Sequence, residues 1–352
     1  MIKYIGSKRL LLPTIVSIVR ALPNVRSVLD AFSGTARVGH ALKAAGYEVT
    51  SNDHTTYAYR LAQCYVAADR SQIAADAEKI IRELDALPGA PGYFTQTFCE
   101  SSRYLQPHNG ERVDAIRERI AELSLPPVLE AVVLVSLMEA ADRVDSTCGL
   151  QMAYLKQWSK RSHNRMMLRV PDVLEGPGHA LQAEAVEAAK TRAFDLVYLD
   201  PPYNQHRYLG NYHVWESLVR WDKPEVYGIA MKRIDCREYK SEFNSRKSIR
   251  DAFAALLRNV DARYVLVSFN NEGYLSQADL IELLSVRGEV AAMDVDFKRY
   301  VGAQIGIYNP QGDKVGKVSH LRNRELLLLS GENANALLTG ARAGQKAVSI
   351  PV

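Results

Sequence analysis

The segment FDLVYLDPPYNQHRYLGNYH, residues 194–213, places a carboxylate, two prolines and a tyrosine directly after an apolar run. Each X-Pro step excludes the helical region for the residue before it, so the two prolines hold the chain extended. The Asp200 carboxylate and the Pro201 backbone carbonyl then form two fixed acceptors, and Tyr203 can stack on a ring. We predict that Asp200, Pro201, Pro202 and Tyr203 hold the exocyclic amino group of a nucleobase. A plain strand-ending turn is the alternative, since Asp and Pro both favour turns.

A second candidate binding segment is LDAFSGTARVG, residues 29–39. Small residues let the backbone approach a ligand, and the helix that follows offers unpaired N–H groups. Asp53 lies 19 residues after Gly34, which is the spacing of an acidic residue that binds ribose hydroxyls. The pattern favours an adenosine-containing cofactor, although a tight strand-to-helix turn would also explain the small residues.

The chemistry of this turn narrows the choice of cofactor. A dinucleotide would need a turn dense in glycine, but Asp30, Phe32 and Ala36 occupy this one. A carboxylate suits a cation better than a phosphate. S-adenosylmethionine carries an ammonium and a sulfonium group, so we predict it as the cofactor and disfavour a nicotinamide-dependent dehydrogenase.

Strand and helix patterns alternate at both ends of the chain. We predict strands over 25–32, 48–53, 166–173, 193–200 and 262–271, helices over 35–46, 180–190 and 244–260, and two late antiparallel strands over 289–300 and 324–330. This alternation indicates an α/β fold with a doubly wound, mainly parallel sheet, for which we expect seven strands in a Rossmann-like arrangement.

The middle of the chain interrupts this alternation. Residues 55–165 carry mostly helical patterns, so we predict an inserted subdomain between two parts of a main domain, 1–54 and 166–330. The tail, 331–352, has no strong periodicity and is predicted to be loose.

Four acidic residues, Asp30, Asp53, Asp172 and Asp200, end predicted strands or lie just after them. Ligands of such sheets bind beyond the carboxyl ends of the strands. We therefore expect the four carboxylates to gather at one site.

Composition limits the class of protein. No stretch approaches about 20 uncharged apolar residues, so we expect no membrane span. The four cysteines show no C-x-x-C pairing, which predicts neither a metal site nor disulfides and fits a reducing cytoplasm. A net charge of +4 permits an anionic partner without demonstrating one.

Several motifs together resemble the Dam-like adenine-specific DNA methyltransferases in which the cofactor motif precedes the target-recognition region and DPPY follows it. The matching segments are KYIGSK (3–8), DAFSGTARVG (30–39), ND (52–53), PDVLE (171–175) and DPPYNQHRYLGNYHVWE (200–216). The residues after DPPY, together with SFNNEG (268–273), resemble a restriction-associated or phage branch.

The resemblance implies site-specific methyl transfer to the N6 amino group of a flipped adenine in duplex DNA. It assigns residues 55–165 to target recognition. It assigns cofactor contacts to Tyr4 and Lys8, the methionine end to Asp30, Phe32 and Gly34, the ribose to Asp53, and the cofactor's adenine amino group to Asp172. Ala36 departs from the family, where glycine is frequent, and its methyl group is not expected to abolish binding.

Basic and aromatic side chains outside these motifs are candidates for DNA contacts. Lys160, Arg161 and Arg165 form a dense basic cluster, which we expect to bind phosphates. His206, Arg207 and Tyr208 either grip the phosphates around an extruded base or cap the next helix, and the sequence does not separate these two roles.

Other functions stay open from the sequence. RNA adenine, the cytosine amino group and non-catalytic DNA binding are the alternatives, although related cytosine enzymes usually carry Ser where Asp200 stands. We expect a cytoplasmic monomer of a prokaryote or phage that binds duplex DNA, with a cognate restriction endonuclease as a further partner.

Overall fold

The computed structural model describes residues 1–298, 307–308, 314–316 and 322–348. Its strands are β1 (Ser27–Asp30), β2 (Glu48–Asn52), β3 (His179–Leu181), β4 (Phe194–Leu199), β5 (Val226–Tyr227), β6 (Lys232–Arg233), β7 (Ala262–Asn270), β8 (Val290–Lys298), β9 (Ile307–Tyr308), β10 (Lys314–Gly316) and β11 (Arg322–Ser330). Seven of them form one sheet in the order β3-β2-β1-β4-β7-β11-β8. Strand β11 is antiparallel to both of its neighbours, and the other pairings are parallel. The predicted fold class is confirmed.

The helices cover both faces of this sheet. They are α1 (Leu12–Ala21), α2 (Arg37–Ala44), α3 (Thr56–Ala62), α4 (Arg70–Ala86), α5 (Tyr93–Thr95), α6 (Pro107–Leu123), α7 (Pro127–Val144), α8 (Ala185–Ala189), α9 (Tyr208–Asn211), α10 (His213–Arg220), α11 (Ile249–Asn259), α12 (Gln277–Ser285) and α13 (Ala334–Val348). One core contains buried residues of α1, α2, α7 and α13, and the other contains those of α8, α11 and α12. The sheet is therefore buried on both sides, which explains the continuous apolar runs of β4 and β7.

The predicted strand over 166–173 is wrong, and the segment has no regular secondary structure. Side chains from the inserted helices bind its backbone amides instead of a neighbouring strand. Asn109 Oδ1 accepts from the Met166 amide at 2.8 Å, and Asp85 Oδ1 accepts from the Leu168 amide at 2.9 Å. Met166, Leu168 and Val173 of this segment are buried in the core, whereas Met167 and Val170 are exposed.

The predicted helix over 180–190 is only partly correct. Its first residues belong to β3, a three-residue strand at the edge of the sheet, and the helix α8 covers Ala185–Ala189. A strand this short carries no alternation that periodicity could detect.

The tail, 331–352, is predicted to be loose, but its described part forms a helix, Ala334–Val348, and residues 349–352 lie outside the described residues. Ala334, Leu338 and Ala341 are buried, and α13 packs against α1. Their spacing of four and three residues is that of one helix face. The many Ala, Gly and Asn residues of this segment weaken the contrast between apolar and polar positions, so the helical period is hard to detect in the sequence.

Residues 55–165 are mostly helical, and α3 is followed by a π-helical turn, Gln63–Ala67. This turn packs against α7, α2 and β3, so the insertion continues the core on one face of the sheet. No helix of the described residues is both long and apolar enough to cross a membrane.

Candidate active site

The carboxyl ends of β1, β2 and β4 meet at one open cleft. Asp30, Asp53 and Asp200, three of the four carboxylates expected at one site, all line it. Residues proposed from the sequence that line the same cleft are Tyr4, Lys8, Phe32, Gly34, Pro202 and Tyr208. The N-terminal segment thereby reaches the strand ends although it precedes the sheet in the chain.

The turn after β1 is held in a conformation that needs a small residue. Gly34 has φ +51°, and a Cβ there would lie 3.2 Å from the Tyr4 ring. Its amide donates to Asp53 Oδ2 at 3.0 Å, which ties this turn to the end of β2. Ala36 also has a positive φ, +58°, at the N-terminus of α2. This explains why glycine would be expected at position 36 and why alanine, with its small side chain, is tolerated.

The Asn52 side chain connects the ends of β1, β2 and β3 by hydrogen bonds. Its side-chain amide donates to the Ala31 carbonyl at 3.1 Å and to the Ala183 carbonyl at 3.0 Å, and its Oδ1 accepts from the Ala183 amide. An asparagine can bridge in this way because it carries both donors and an acceptor. Its position directly before Asp53 was the only sequence signal.

Asp30 is 1% exposed, and neither carboxylate oxygen has a hydrogen-bond partner among the described residues. Burial, together with the charges of Asp200 and Asp53, raises the pKa of Asp30 to about 8, while the Gly39 amide, which lies nearby without hydrogen-bond geometry, opposes the shift. A buried carboxylate without a partner is unfavourable unless a cation binds beside it. The free chain therefore holds Asp30 mostly protonated at neutral pH, and a cationic ligand would stabilise its ionised form.

Four tyrosines cluster at the cleft, and two of them, Tyr4 and Tyr208, line it. The Tyr4 ring stacks on Tyr212 at 4.5 Å and on Tyr208 at 5.4 Å, and its hydroxyl lies 3.2 Å from the Tyr57 hydroxyl. Tyr208 is thus part of the cleft. His206 and Arg207 are exposed beside it, and Arg207 precedes α9 without a side-chain capping bond.

Lys8 contacts the DPPY carboxylate. Its Nζ lies 2.9 Å from Asp200 Oδ1 and 2.6 Å from Glu325 Oε1. Burial raises the pKa of Asp200 and Lys8 opposes that shift. Glu325 comes from β11 and was not identified from the sequence, because nothing in RELLLLS separates a buried glutamate from an exposed one.

The rest of the DPPY segment lies beside the cleft. Pro201 is buried, and none of the described residues donates a hydrogen bond to its carbonyl oxygen. The Tyr203 ring is 5.7 Å from Phe269, and the Tyr203 carbonyl accepts from the Tyr274 amide at 2.9 Å. The end of β7 thus fixes the extended segment.

Asp172 does not belong to this cleft. Its side chain is 82% exposed beside His40, and it lines a separate cleft with Arg70. The prediction that it ends a strand at the common edge is wrong, because the strand over 166–173 does not form.

Asp172 was expected just after a strand at the edge of the site. The acidic residue that follows the actual strand, β3, is Glu184. It lines a narrow slot that continues the cleft past Asp53. The slot is walled by rings: His54 stacks on Tyr239 at 4.4 Å, and the Tyr239 hydroxyl donates to Glu184 at 3.2 Å. Correct placement of β3 would have identified this residue.

The predicted phosphate contacts of the insertion differ in their surroundings. Lys160 is exposed. Arg161 donates to Asp145 Oδ1 at 2.7 Å and to the Thr147 carbonyl, and Arg165 donates to the Asp85 carbonyl at 2.9 Å. Both arginines thus have partners within the chain. Within the described ranges, no three His, Cys, Asp or Glu side chains group as a metal ion would need.

Comparison with known proteins agrees with this geometry. The D12 class N6 adenine-specific DNA methyltransferases match residues 4–280. The type II methyltransferase M.NlaIII of Neisseria lactamica is 31% identical over 77% of this chain and 83% of its own length. M.CviAII of Paramecium bursaria Chlorella virus 1 is 29% identical over 85% and 92%.

The modification methylase StsI of Streptococcus sanguinis is 30% identical over 85% of this chain, which spans only 48% of that longer protein. The matched range includes the DPPY segment, the turn after β1 and the N-terminal segment with Tyr4 and Lys8, and residues of all three line the cleft. The chain belongs to the D12 class of N6 adenine-specific DNA methyltransferases.

Proposed function

We propose that this chain transfers a methyl group from S-adenosylmethionine to the N6 amino group of a specific adenine in duplex DNA. The observation that carries the proposal is the pairing of two carboxylates in one cleft. Asp30 is buried without a partner, and Asp200 lies across the cleft in the DPPY segment. The Asp30 carboxylate suits the cationic methyl donor. The Asp200 carboxylate suits the amino group that receives the methyl group.

The residues present fit this cofactor. The unpartnered Asp30 carboxylate would bind the positively charged methionine end, and the close approach at Gly34 would be lost with any larger residue. Asp53 lies between that end and the aromatic slot, where it is placed for ribose hydroxyls.

The slot beyond Asp53 suits the flat adenine of the cofactor. Its walls are Phe32, His54 and Tyr239, and Glu184 is an acceptor within it. We assign to Glu184 the amino-group contact that the sequence had assigned to Asp172.

When bound, S-adenosylmethionine supplies an electrophilic methyl group. The target adenine must leave the helix to reach the cleft, because its amino group is inaccessible while stacked. Asp200 and the Pro201 carbonyl then accept hydrogen bonds from the amino group, which orients the nitrogen and stabilises its developing positive charge. Tyr203 stacks on the flipped ring.

The insertion is proposed to read the DNA sequence. Tyr57 of α3 contacts the cleft residue Tyr4, and the exposed side chains of Lys160, His206 and Arg207 would contact phosphates. The relatives named type II methyltransferases suggest a cognate restriction endonuclease, and we propose that the chain methylates DNA as a monomer in the cytoplasm.

The test is expression in a bacterial host that lacks DNA methylation, followed by modification-sensitive sequencing of its genome. The expected result is N6-methyladenine at one short sequence context. Methylation of RNA alone, or of cytosine, would overturn the proposal.

A matched pair of variants tests the role of Asp200. Asp200→Ala should keep S-adenosylmethionine binding and lose transfer of a tritiated methyl group. Asp195→Ala, on the same strand but at its opposite end, should keep both, because Asp195 binds the Arg26 and Ser27 amides far from the cleft. Wild-type turnover by Asp200→Ala would refute the assignment.

A further inference from the structure

Glu325 is a buried carboxylate that contacts the cleft residue Lys8, and the chemistry described above does not use it. It is 2% exposed and stands on β11 opposite Asn270 of β7. Three side chains donate to it: Lys8 Nζ and Ser268 Oγ at 2.6 Å each to Oε1, and Asn270 Nδ2 at 3.4 Å to Oε2. A carboxylate that is held by two donors from β7 and one from the N-terminal segment occupies a fixed position.

Lys8 stands between two carboxylates. Its ammonium is closer to Glu325, at 2.6 Å, than to Asp200, at 2.9 Å. The group of Lys8, Asp200 and Glu325 carries a net charge of −1 when all three are ionised. A simple ion pair of Lys8 with Asp200 would instead be neutral.

We propose that Glu325 is a positioning residue for methyl transfer, which shares the Lys8 ammonium with Asp200 so that Lys8 orients Asp200 without neutralising it. This inference rests on the proposed function, because it assigns Asp200 to the target amine. It gives Lys8 a second role beyond the cofactor contact expected from the sequence.

The chemistry explains why the sharing matters. As the bond from N6 to the methyl carbon forms and the carbon–sulfur bond breaks with its electrons going to sulfur, the nitrogen gains positive charge. The nitrogen then loses one of its two protons, which passes to Asp200 and on to solvent. An acceptor that is fully paired with an ammonium would stabilise this charge poorly.

Several charged or titratable groups face Asp200. They are Lys8 from the N-terminal segment, Glu325 from β11, Asp30 from β1, Tyr198 from β4, Tyr208 from α9 and the neighbouring Tyr203. Burial raises the pKa of Asp200, Lys8 lowers it and Glu325 raises it again. Removal of the Glu325 charge should therefore lower the pKa of Asp200, and removal of the Lys8 charge should raise it.

The test compares Glu325→Gln, Lys8→Met and the wild-type chain. Two quantities are measured: methyl-transfer kinetics against pH, and the titration of the Asp200 carboxyl carbon by carbon-13 NMR, assigned with Asp200→Asn. The NMR measurement needs neither cofactor nor turnover. Asp195→Asn is the matched control, since it removes a carboxylate at the opposite end of β4.

For Glu325→Gln we expect the Asp200 titration and the acidic limb of kcat to move to lower pH. We expect kcat to fall roughly 10- to 100-fold, with KM for DNA and cofactor nearly unchanged. Lys8→Met should move the Asp200 titration to higher pH, and Glu325→Asp should restore part of kcat. Should Glu325→Gln fail to fold, Ser268→Ala, which loosens the same carboxylate, should give a smaller shift in the same direction.

An unchanged Asp200 titration in Glu325→Gln or Ser268→Ala would overturn the inference, even if thermal stability fell. An unchanged kcat in a folded Glu325→Gln would also overturn it. If the wild-type chain transfers no methyl group to any DNA, the proposed function fails instead, and the NMR titration still decides whether the charge is shared.

Discussion

The backbone amide of Gly34 donates a 3.0 Å hydrogen bond to Asp53 Oδ2, so the turn after β1 is held by the residue that follows β2. The other oxygen of Asp53 accepts from the amide and hydroxyl of Thr55. One side chain therefore shapes both loops at the centre of the cleft. The geometry proposed for the cofactor depends on this link.

The first prediction concerns that link. Asp53→Ala removes the acceptor of both loops, and we expect S-adenosylmethionine binding to weaken roughly 10- to 100-fold, the scale of bonds to a charged group. Calorimetric titration measures the affinity. Asp69→Ala is the control, because Asp69 also accepts from an amide, that of Ser71, at the start of α4. It should cost about 1 kcal/mol of stability and leave cofactor affinity unchanged. Equal affinities in the two variants would contradict the prediction.

The second prediction concerns pH. Burial raises the pKa of Asp30 from 3.8 to about 8, so the folded chain binds this proton more tightly than the unfolded chain. Stability from this group is fully present below pH 4 and is lost as pH rises towards 8. The loss is at most about 1.4 kcal/mol per pH unit in that window.

Asp30→Asn should remove this slope, so the variant should be more stable than wild type at pH 8 and should no longer bind S-adenosylmethionine. Urea unfolding at several pH values measures the slope, and calorimetry measures binding. Parallel stability curves for the two proteins would show that Asp30 is not destabilising when charged.

The third prediction compares two positions with positive φ. Gly34→Ala places a Cβ 3.2 Å from the Tyr4 ring at φ +51° and should cost about 1–2 kcal/mol of stability and weaken cofactor binding. Ala36→Gly relieves a strained φ but removes a buried methyl group, so its net effect should stay within about 1 kcal/mol. Thermal unfolding with and without cofactor measures both variants. A larger loss from Ala36→Gly than from Gly34→Ala would be the opposite of this expectation.

The fourth prediction separates Glu184 from Asp172. Glu184→Gln should weaken S-adenosylmethionine binding roughly tenfold, because the acceptor in the aromatic slot loses its charge. Asp172→Asn should have no effect, since that side chain is exposed and lines a different cleft. Competition with adenosine analogues that lack the amino group measures the contact directly. The assignment of Glu184 to the cofactor fails if Asp172→Asn binds S-adenosylmethionine more weakly than Glu184→Gln does.

Local sequence determined much of the fold and of the site. Apolar runs at β1, β4 and β7 are long and uniform enough to read as buried strands, and their order implies a parallel sheet. Once those strands were placed, the rule that ligands bind at carboxyl ends brought Asp30, Asp53 and Asp200 together. The DPPY and KYIGSK segments were recognised from their residues alone.

Tertiary structure decided what local pattern could not. The apolar residues over 166–173 lie against the inserted helices, whose side chains satisfy the backbone, and the edge strand β3 is too short to show a period. For this reason we propose Glu184, not Asp172, as the contact to the cofactor's amino group. The Lys8–Glu325 contact joins residues 317 positions apart, and only the packing of β11 between β7 and β8 places this glutamate beside Lys8. Burial and charge at such a contact depend on neighbours distant in sequence, which residue spacing does not encode.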